Sequence, residues 1–409
     1  LLSLLLLHAA WLGTRAAAQA PPEGTQARCG KGFLEVVNGQ KVLHVSGTPY
    51  EMGYQHGALL KEDIREVTRY LLVEKSKDLQ VDLGNLKVKP DPKLLIGSIA
   101  ASQKKFVPEW YYEELRGLAD GSGVAYQDLL VCNFIPELFH CSGFAITGTA
   151  TKDGTLYHGR VLDYGTDWRL QEHPVLIIAK PEGKIPFVNV TYAGFIGSVT
   201  GMNAEHVAIG EMGGGGLGHW AGVPMAVLVR TVIQEAKTLE EAIAVFRDNP
   251  RTCEYYYVIS DGKTNEAVGM EASWDKFSMV KLGESHEKLP HAVPDAVLLS
   301  AGDRYELLVE RVKQGHGTFD AEKAIALMDR PVAMKSNLHN ALFEPKGTRF
   351  WVAHASKDRE PAATQPYHGF VLKELLERVA DTTAPELPGP PAKTPVIGGG
   401  VGGASQRND

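Results

Sequence analysis

From Cys141 to about Val207 the apolar residues recur at every second position, and this period-two stretch commits the middle of the chain to β-sheet. Cys141–Gly148, Leu156–Leu162, Val175–Ala179, Phe187–Tyr192 and Ser198–Gly201 read as strands, punctuated by Asp153-Gly154 and Glu182-Gly183. Upstream, Phe33–Val37 and Lys41–Val45 read as a hairpin around Asn38-Gly39. Helical spacing follows over Glu51–Glu74 and again from Pro108 to Leu118. Downstream, an apolar stripe over Val223–Ala236 and a capping box at Thr238-Leu239-Glu240-Glu241 predict paired helices. Tyr255–Ser260, Glu266–Glu271 and Phe277–Leu282 are further strands. Helices at Arg304–Lys313 and Ala321–Asp329 precede a last hairpin, Asn340–Phe343 with Arg349–Ala353. Runs of strands with helices inserted in pairs point to stacked sheets covered by helices.

The ends read differently. Leu1 to about Leu12 is an apolar run too short to span a bilayer, and Ala18-Gln19-Ala20 has the small-x-small pattern of a signal-peptidase site. With neither an initiating Met nor a basic segment ahead of it, the run reads as the interior of a signal peptide, residues 1–20, with the mature chain starting near Pro21. Export to the periplasm or the cell exterior is therefore expected. The mature chain divides into an N-terminal segment 21–140, opening on a loose leader over 21–31, a catalytic unit 141–382, and a disordered Pro/Gly-rich tail 383–409.

Composition excludes some classes. A net charge of −7 with no basic run argues against nucleic acid or an anionic membrane as main partner, and no later segment suits a membrane span. Gly213–Gly216 lacks the Lys-Ser/Thr of a phosphate loop, and the fourteen histidines form no HExxH-type pattern, so neither cofactor nor metal is expected. The glycine run reads as a flap or a linker. As a flap, it would bring Leu217, His219 and Trp220 to a substrate pocket, with Phe144 beside the cysteine. Tyr255–Tyr257 and His339 read as packing residues.

Cys141 is where chemistry concentrates. It opens a strand, its neighbours Ser142 and Gly143 are small, and Arg160 and Asp163 end the next strand, where a hairpin return places them beside it. Cutting the chain between His140 and Cys141 would give one residue both a thiol nucleophile and an α-amine base. A free thiol titrates at about 8.5 and an α-amine at about 7.7–8.0, so the amine suits proton shuttling at neutral pH. Asp163 can fix that amine by hydrogen bonding, and Arg160 can hold the carboxylate or lower the thiol pKa. Four cysteines allow three complete pairings. A free Cys141 leaves at most one bridge among Cys29, Cys132 and Cys253.

Four segments together resemble the peptidase C45 family, whose namesake is acyl-coenzyme A:6-aminopenicillanic acid acyltransferase. They are Cys141-Ser-Gly-Phe-Ala145, Gly159-Arg-Val-Leu-Asp-Tyr164, Gly47–Gly57 and Asn337–Pro345. The resemblance runs from residue 33 to about 375. Its Cys…Arg-x-x-Asp portion is also similar to choloylglycine hydrolases and acid ceramidases, within the N-terminal nucleophile hydrolases. It implies an α+β fold, a four-layer αββα sandwich, with autocatalytic cleavage before Cys141 into two chains that stay associated. It also implies that Asn203, in Gly201-Met202-Asn203-Ala204, helps form the oxyanion hole, although by itself Asn203 reads equally well as a turn residue. Where relatives often carry Thr-Asn-His, this chain has Leu299-Ser300-Ala301-Gly302-Asp303-Arg304, which leaves the second oxyanion donor open between Ser300 and a backbone N–H.

The expected activity is hydrolysis or transfer of the acyl group of a small N-acyl amide through a Cys141 thioester. Export disfavours coenzyme A as donor, and homo-oligomerisation is left open. Two rivals stand beside it: an uncut hydrolase pairing Cys141 with His140 or His158, and a non-catalytic exported binding protein on the same scaffold.

Overall fold

The alternating stretches form two sheets stacked face to face in the computed structural model, which describes residues 22–391 apart from 79–80, 83–86, 89–90, 136–140 and 217. The expected signal peptide, His140 and Leu217 lie outside the described residues. Three strands open the fold, β1 (Gly24–Cys29), β2 (Gly32–Val37) and β3 (Gln40–Gly47), and a short hairpin, β4 (Val81–Asp82) with β5 (Lys87–Val88), stands apart. The central strands are β6 (Ser142–Gly148), β7 (Gly154–Leu162), β8 (Pro174–Pro181), β9 (Phe187–Tyr192), β10 (Thr200–Asn203) and β11 (Val207–Gly213). Then come β12 (Tyr255–Asp261), β13 (Glu266–Ala272), β14 (Phe277–Lys281) and β15 (Ala296–Leu299). The last are β16 (His339–Glu344), β17 (Arg349–His354), β18 (His368–Val371) and β19 (Glu386–Leu387).

The larger sheet runs β14-β13-β12-β11-β10-β9-β8-β3-β2-β1-β19 and the smaller β15-β6-β7-β16-β17-β18. Pairing is antiparallel except for β3 with β8 and β1 with β19. Asn38 and Gly39, both at positive φ, make the tight turn between β2 and β3 that their Asn-Gly sequence predicts. Between the sheets, alternate residues such as Met202, Ala208, Ala341 and Phe343 form one buried layer. Helices α6 (Met225–Glu235) and α7 (Leu239–Arg247) pack on β10–β13, while α8 (Asp303–Gly315) and α9 (Ala321–Ala326) pack on β15, β7 and β16. Gly201 lies against Ile233 of α6, whereas Gly210 on the neighbouring strand lies against Arg160 of the other sheet. The two sheets are thus inner layers and the helices outer ones: an α+β, four-layer αββα arrangement, as expected.

Three expectations change. The single helix over Glu51–Glu74 is two, α1 (Pro49–Leu59) and α2 (Lys61–Arg69), followed by a π-helical turn, because Leu60 leaves helical geometry between them. The loose leader is not loose: Gly24–Cys29 is a strand, and Glu386–Leu387, placed by sequence in a disordered tail, pairs with it. Cys29 is fully buried there, so the two ends hold an apolar position that neither could bury alone. Within the expected N-terminal segment 21–140, β1–β3 continue the larger sheet.

The Gly47–Gly57 segment has a packing role. Thr48 and Glu51 form the reciprocal capping box that starts α1. Gly53 and Gly57 then lie against Gly117 and Gly121 of α4 (Glu109–Ser122) so closely that a Cβ on Gly53 would stand 1.9 Å from Glu114 O. Only glycine admits that crossing.

Candidate active site

The register of β6 on β7 sets the site. Ser142 stands opposite Val161 and Gly143 opposite Arg160, so Cys141 heads the hairpin beside Leu162 and Asp163. Alternation then sorts the side chains. Gly143 and Arg160 face the other sheet, while Phe144 points outward into the cluster under α8 and α9. Phe144 is therefore a core residue, fully buried against Gly159, and not the substrate contact expected of it.

Arg160 and Asp163 flank Cys141 but do not pair with each other. Arg160 crosses Gly210 and reaches Glu211 Oε2 at 3.3 Å, both side chains having no solvent exposure, and it also donates to Val161 O. Asp163 Oδ2 pairs with Arg304 Nη1 at 3.1 Å, and its Oδ1 accepts the Met334 N–H at 3.0 Å. The second nitrogen of Arg304, Nη2, donates to Ser142 Oγ, which is 2.7 Å from Ser300 Oγ. Glu211 and Arg304 were missed by sequence reasoning. The signal for Glu211 was there: one acid inside the apolar run Val207-Ala-Ile-Gly-Glu-Met.

Burial dominates the electrostatics. It pushes the Cys141 thiol up to about 11; Arg160 works against the rise, Glu211 and Asp163 add to it, and the Asp163 backbone N–H opposes it. Burial likewise raises Asp163 to about 6 against the opposing pull of Arg304, the Met334 N–H and Arg160. The thiol is therefore protonated at neutral pH, and any attack by its sulfur would need a base.

His158 does not supply it. It lies opposite Ala145, four residues along the strand from Cys141, bonds Ser260 Oγ at 2.8 Å, and is pushed down to about 3 by burial and then by Arg160. This removes one form of the Cys–His rival. His339, bonded to Tyr192 and Thr200 in the interior, is structural as expected.

Asn203 does not reach the site. At the far end of β10, its Nδ2 donates to Ala236 O and its Oδ1 accepts the N–H groups of Glu205 and Val207. Val207 and Glu211 are four residues apart on β11, about 13 Å at strand rise. The oxyanion role is thus withdrawn, and the turn reading holds.

Cys141 opens on a cavity of about 600 Å³ lined by Met212–Gly215, Tyr256, Glu271, Leu299, Ser300 and others. Ser300, one of the two alternatives for the second oxyanion donor, is therefore in its wall. The glycine run forms a wall and not a free flap: Glu254 N–H donates to Gly215 O, and a Cβ on Gly214 would stand 2.6 Å from Glu254 O. Trp220 lines a separate cavity of about 90 Å³, and exposed His219 stacks on Trp274 at 3.9 Å, so neither expected contact meets the Cys141 cavity. Of the Tyr255–Tyr257 triplet, Tyr256 both packs against the core and lines that cavity. All four cysteines are free thiols and buried. Glu66, Glu172 and His173 approach one another, but Arg169 bridges the two glutamates, which makes the group an ion network and not a metal site.

A buried cysteine thus heads an inner strand of the αββα sandwich, with Arg160 and Asp163 at the end of the paired strand. Residues 149–287 match the family model described as acyl-coenzyme A:6-aminopenicillanic acid acyl-transferase. The chain is 29% identical over 278 residues to Protein dcd1A of Dictyostelium discoideum, covering 62% of each. It is 26% identical over 185 residues to N-acylethanolamine-hydrolyzing acid amidase of Cavia porcellus, covering 42% of this chain and 51% of that one. Among solved structures, the Caenorhabditis elegans ortholog of that amidase matches with 16% identity and a TM-score of 0.40, covering 50% of this chain and 93% of that one. The chain spans between 51% and 62% of the length of these curated relatives. The resemblance to the C45 acyltransferase family is borne out over the residues 149–287 that the family model matches.

Proposed function

We propose that this protein is an exported amidohydrolase that activates itself by cutting the His140–Cys141 bond and then hydrolyses small N-acyl amides through a Cys141 thioester. The observation that carries this reading is the placement of a buried Cys141, with Asp163 and Arg160 beside it, in the wall of a 600 Å³ cavity. The amidase and acyltransferase relatives support acyl chemistry.

In the first step the Cys141 thiol attacks the His140 carbonyl carbon, the C–N bond breaks, and water hydrolyses the resulting ester of the thiol. The products are a His140 carboxylate and a free Cys141 α-amine. In turnover that amine takes the thiol proton as sulfur attacks the substrate carbonyl, then gives it to the departing amine. Water resolves the thioester, releasing the acid. Asp163, held by Arg304 and the Met334 N–H, orients the α-amine. The Ser300 hydroxyl is the side-chain donor in the cavity wall suited to the oxyanion, a contribution of about 3 kcal/mol for a well-aimed donor. Processed chains would stay together because β1–β3 pair with β8 and β19 in the larger sheet.

Export rests on the composition of residues 1–20. Intact mass and N-terminal sequencing of purified protein test the processing. A chain beginning at Cys141 is expected, and Cys141→Ala should stay whole and inactive. An active uncut chain, or a Cys141→Ala variant that still cleaves, would sink the reading.

A further inference from the structure

The wall of the Cys141 cavity opposite the thiol is polar, and its chemistry is selective. Met212 stands opposite Tyr256, Tyr256 opposite Glu271, and Glu271 opposite Ser278, so these side chains form one row across β11–β14. The row begins at the nucleophile, because Met212 Sδ lies against Gly143, with 2.8 Å to the place a Cβ would occupy. Strands are spaced by about 4.8 Å, which puts Glu271 on the order of 10 Å from the Met212 end. Met270, Met279, Val280, Leu289 and Leu299 supply the apolar surface around it.

The donors of Lys288, Tyr256 and Ser278 on this wall are used up. Lys288 Nζ has three, and they go to Glu271 Oε1 at 2.9 Å, Glu254 Oε1 at 3.3 Å and Tyr256 Oη at 2.7 Å. The Tyr256 hydroxyl donates to Glu254 Oε1, and Ser278 donates to Glu271 Oε2 at 3.2 Å. Lys276 Nζ stands 3.5 Å from Glu271 Oε2 and 3.8 Å from Glu287 Oε1. Three carboxylates therefore face two ammonium groups. Glu254 Oε2 has no hydrogen bond among the described residues, and it lies 3.5 Å from the Cβ position of Gly215, itself part of the cavity wall. Lys288 has no proton left for an anion, whereas Glu254 has an oxygen left for a cation.

We infer that the cavity selects acyl amides whose far end carries an ammonium group, bound by Glu254 beside the Glu271–Lys288 pair and separated from the scissile carbonyl by an apolar spacer. The spacer lies over Met212, Met270 and Leu299, Lys288 holds the two glutamates in place, and the remaining negative charge of the glutamates disfavours a carboxylate. This substrate class rests on the amidohydrolase reading above.

The test compares matched p-nitroanilides of 8-aminooctanoic, octanoic and octanedioic acids on the processed enzyme. The ammonium substrate should exceed the neutral one in kcat/KM by at least about tenfold and the carboxylate one by more. Glu254→Gln should bring the ammonium-to-neutral ratio close to one. A neutral or anionic preference, or an unchanged ratio in Glu254→Gln, would overturn the inference. A second readout does not depend on turnover: the rates at which cationic trimethylammonium-ethyl and anionic sulfonatoethyl methanethiosulfonates label Cys141, each normalised to a small thiol and located by peptide mass. Cationic labelling should be favoured, and less so in Glu254→Gln. Charge-selective labelling without any amide hydrolysis would support the cation site and sink the amidohydrolase reading alone. Hydrolysis without charge selectivity in either assay would do the reverse.

Discussion

Arg160 lies across Gly210 with Nη2 3.3 Å from Glu211 Oε2, and this ion pair, with no solvent exposure on either side, links the Cys141 hairpin to the facing sheet. A buried pair is sensitive to the loss of one partner, because the other charge is then stranded in a medium of low polarity.

Glu211→Gln should therefore destabilise the fold by roughly 3–5 kcal/mol, read by urea denaturation. The same change removes a carboxylate that raises the Cys141 thiol, so its pKa should fall from about 11. Arg160→Met should raise it instead. The pH dependence of Cys141 alkylation separates the two, and movement of both in the same direction would contradict the arrangement.

Asp163 predicts opposed effects of pH on stability and rate. Its pKa is raised to about 6 from an ordinary value near 3.9, chiefly by burial, so the folded state binds its proton more tightly than the unfolded chain does. The stability this provides is fully present below about pH 4 and is lost as pH rises through about 6. Relative to Asp163→Asn, the wild type should lose stability over that window, by on the order of 3 kcal/mol at most. Orienting the α-amine needs the carboxylate, so kcat/KM should fall below about pH 6. A flat stability difference, or an acid limb centred near pH 4, would show that Asp163 titrates normally.

Gly53 predicts a steric failure. A Cβ there would stand 1.9 Å from Glu114 O and 2.9 Å from Leu118 N, both backbone atoms that cannot turn aside. Gly53→Ala should force α1 off α4 at about 1–3 kcal/mol or more, lowering Tm by several degrees despite alanine's better helix propensity. Gly97, on α3 (Pro92–Gln103), has open space around its Cβ position, and Gly97→Ala should leave Tm unchanged or raise it.

Period two was enough to place the β6–β9 region and the β16–β17 hairpin, because those strands alternate between a packed face and a covered one. It did not reveal β1, which pairs with β2, or β19, a two-residue strand held only by its pairing with β1. Nor did it reveal β15, a four-residue edge. The site was legible where residues are close along a hairpin, as Cys141, Arg160 and Asp163 are. It was not legible where the partner comes from another element: Arg304 lies 141 positions after Asp163, and Lys288 reaches Tyr256 and Glu271 from a loop. Phe144 failed for a local reason. Adjacent residues on a strand face opposite ways, so the second residue after Ser142 shares its outward face and turns away from the cavity.

Asn203 is where the resemblance and the geometry part company, and one substitution decides between them. As an oxyanion donor, Asn203 would tune kcat with little effect on folding. In the structure its carboxamide makes three bonds to backbone groups, at Ala236 O, Glu205 N and Val207 N, from a fully buried position at the β10–β11 turn. Asn203→Ala leaves those buried groups without partners, each worth about 1–3 kcal/mol, so stability should drop by roughly 2–4 kcal/mol. The folded fraction, counted by titration of Cys141, should keep its kcat and KM at a temperature where the variant is native. A hundredfold fall in kcat per active site with unchanged stability would return Asn203 to the oxyanion hole and require β10 to sit closer to Cys141 than it does here.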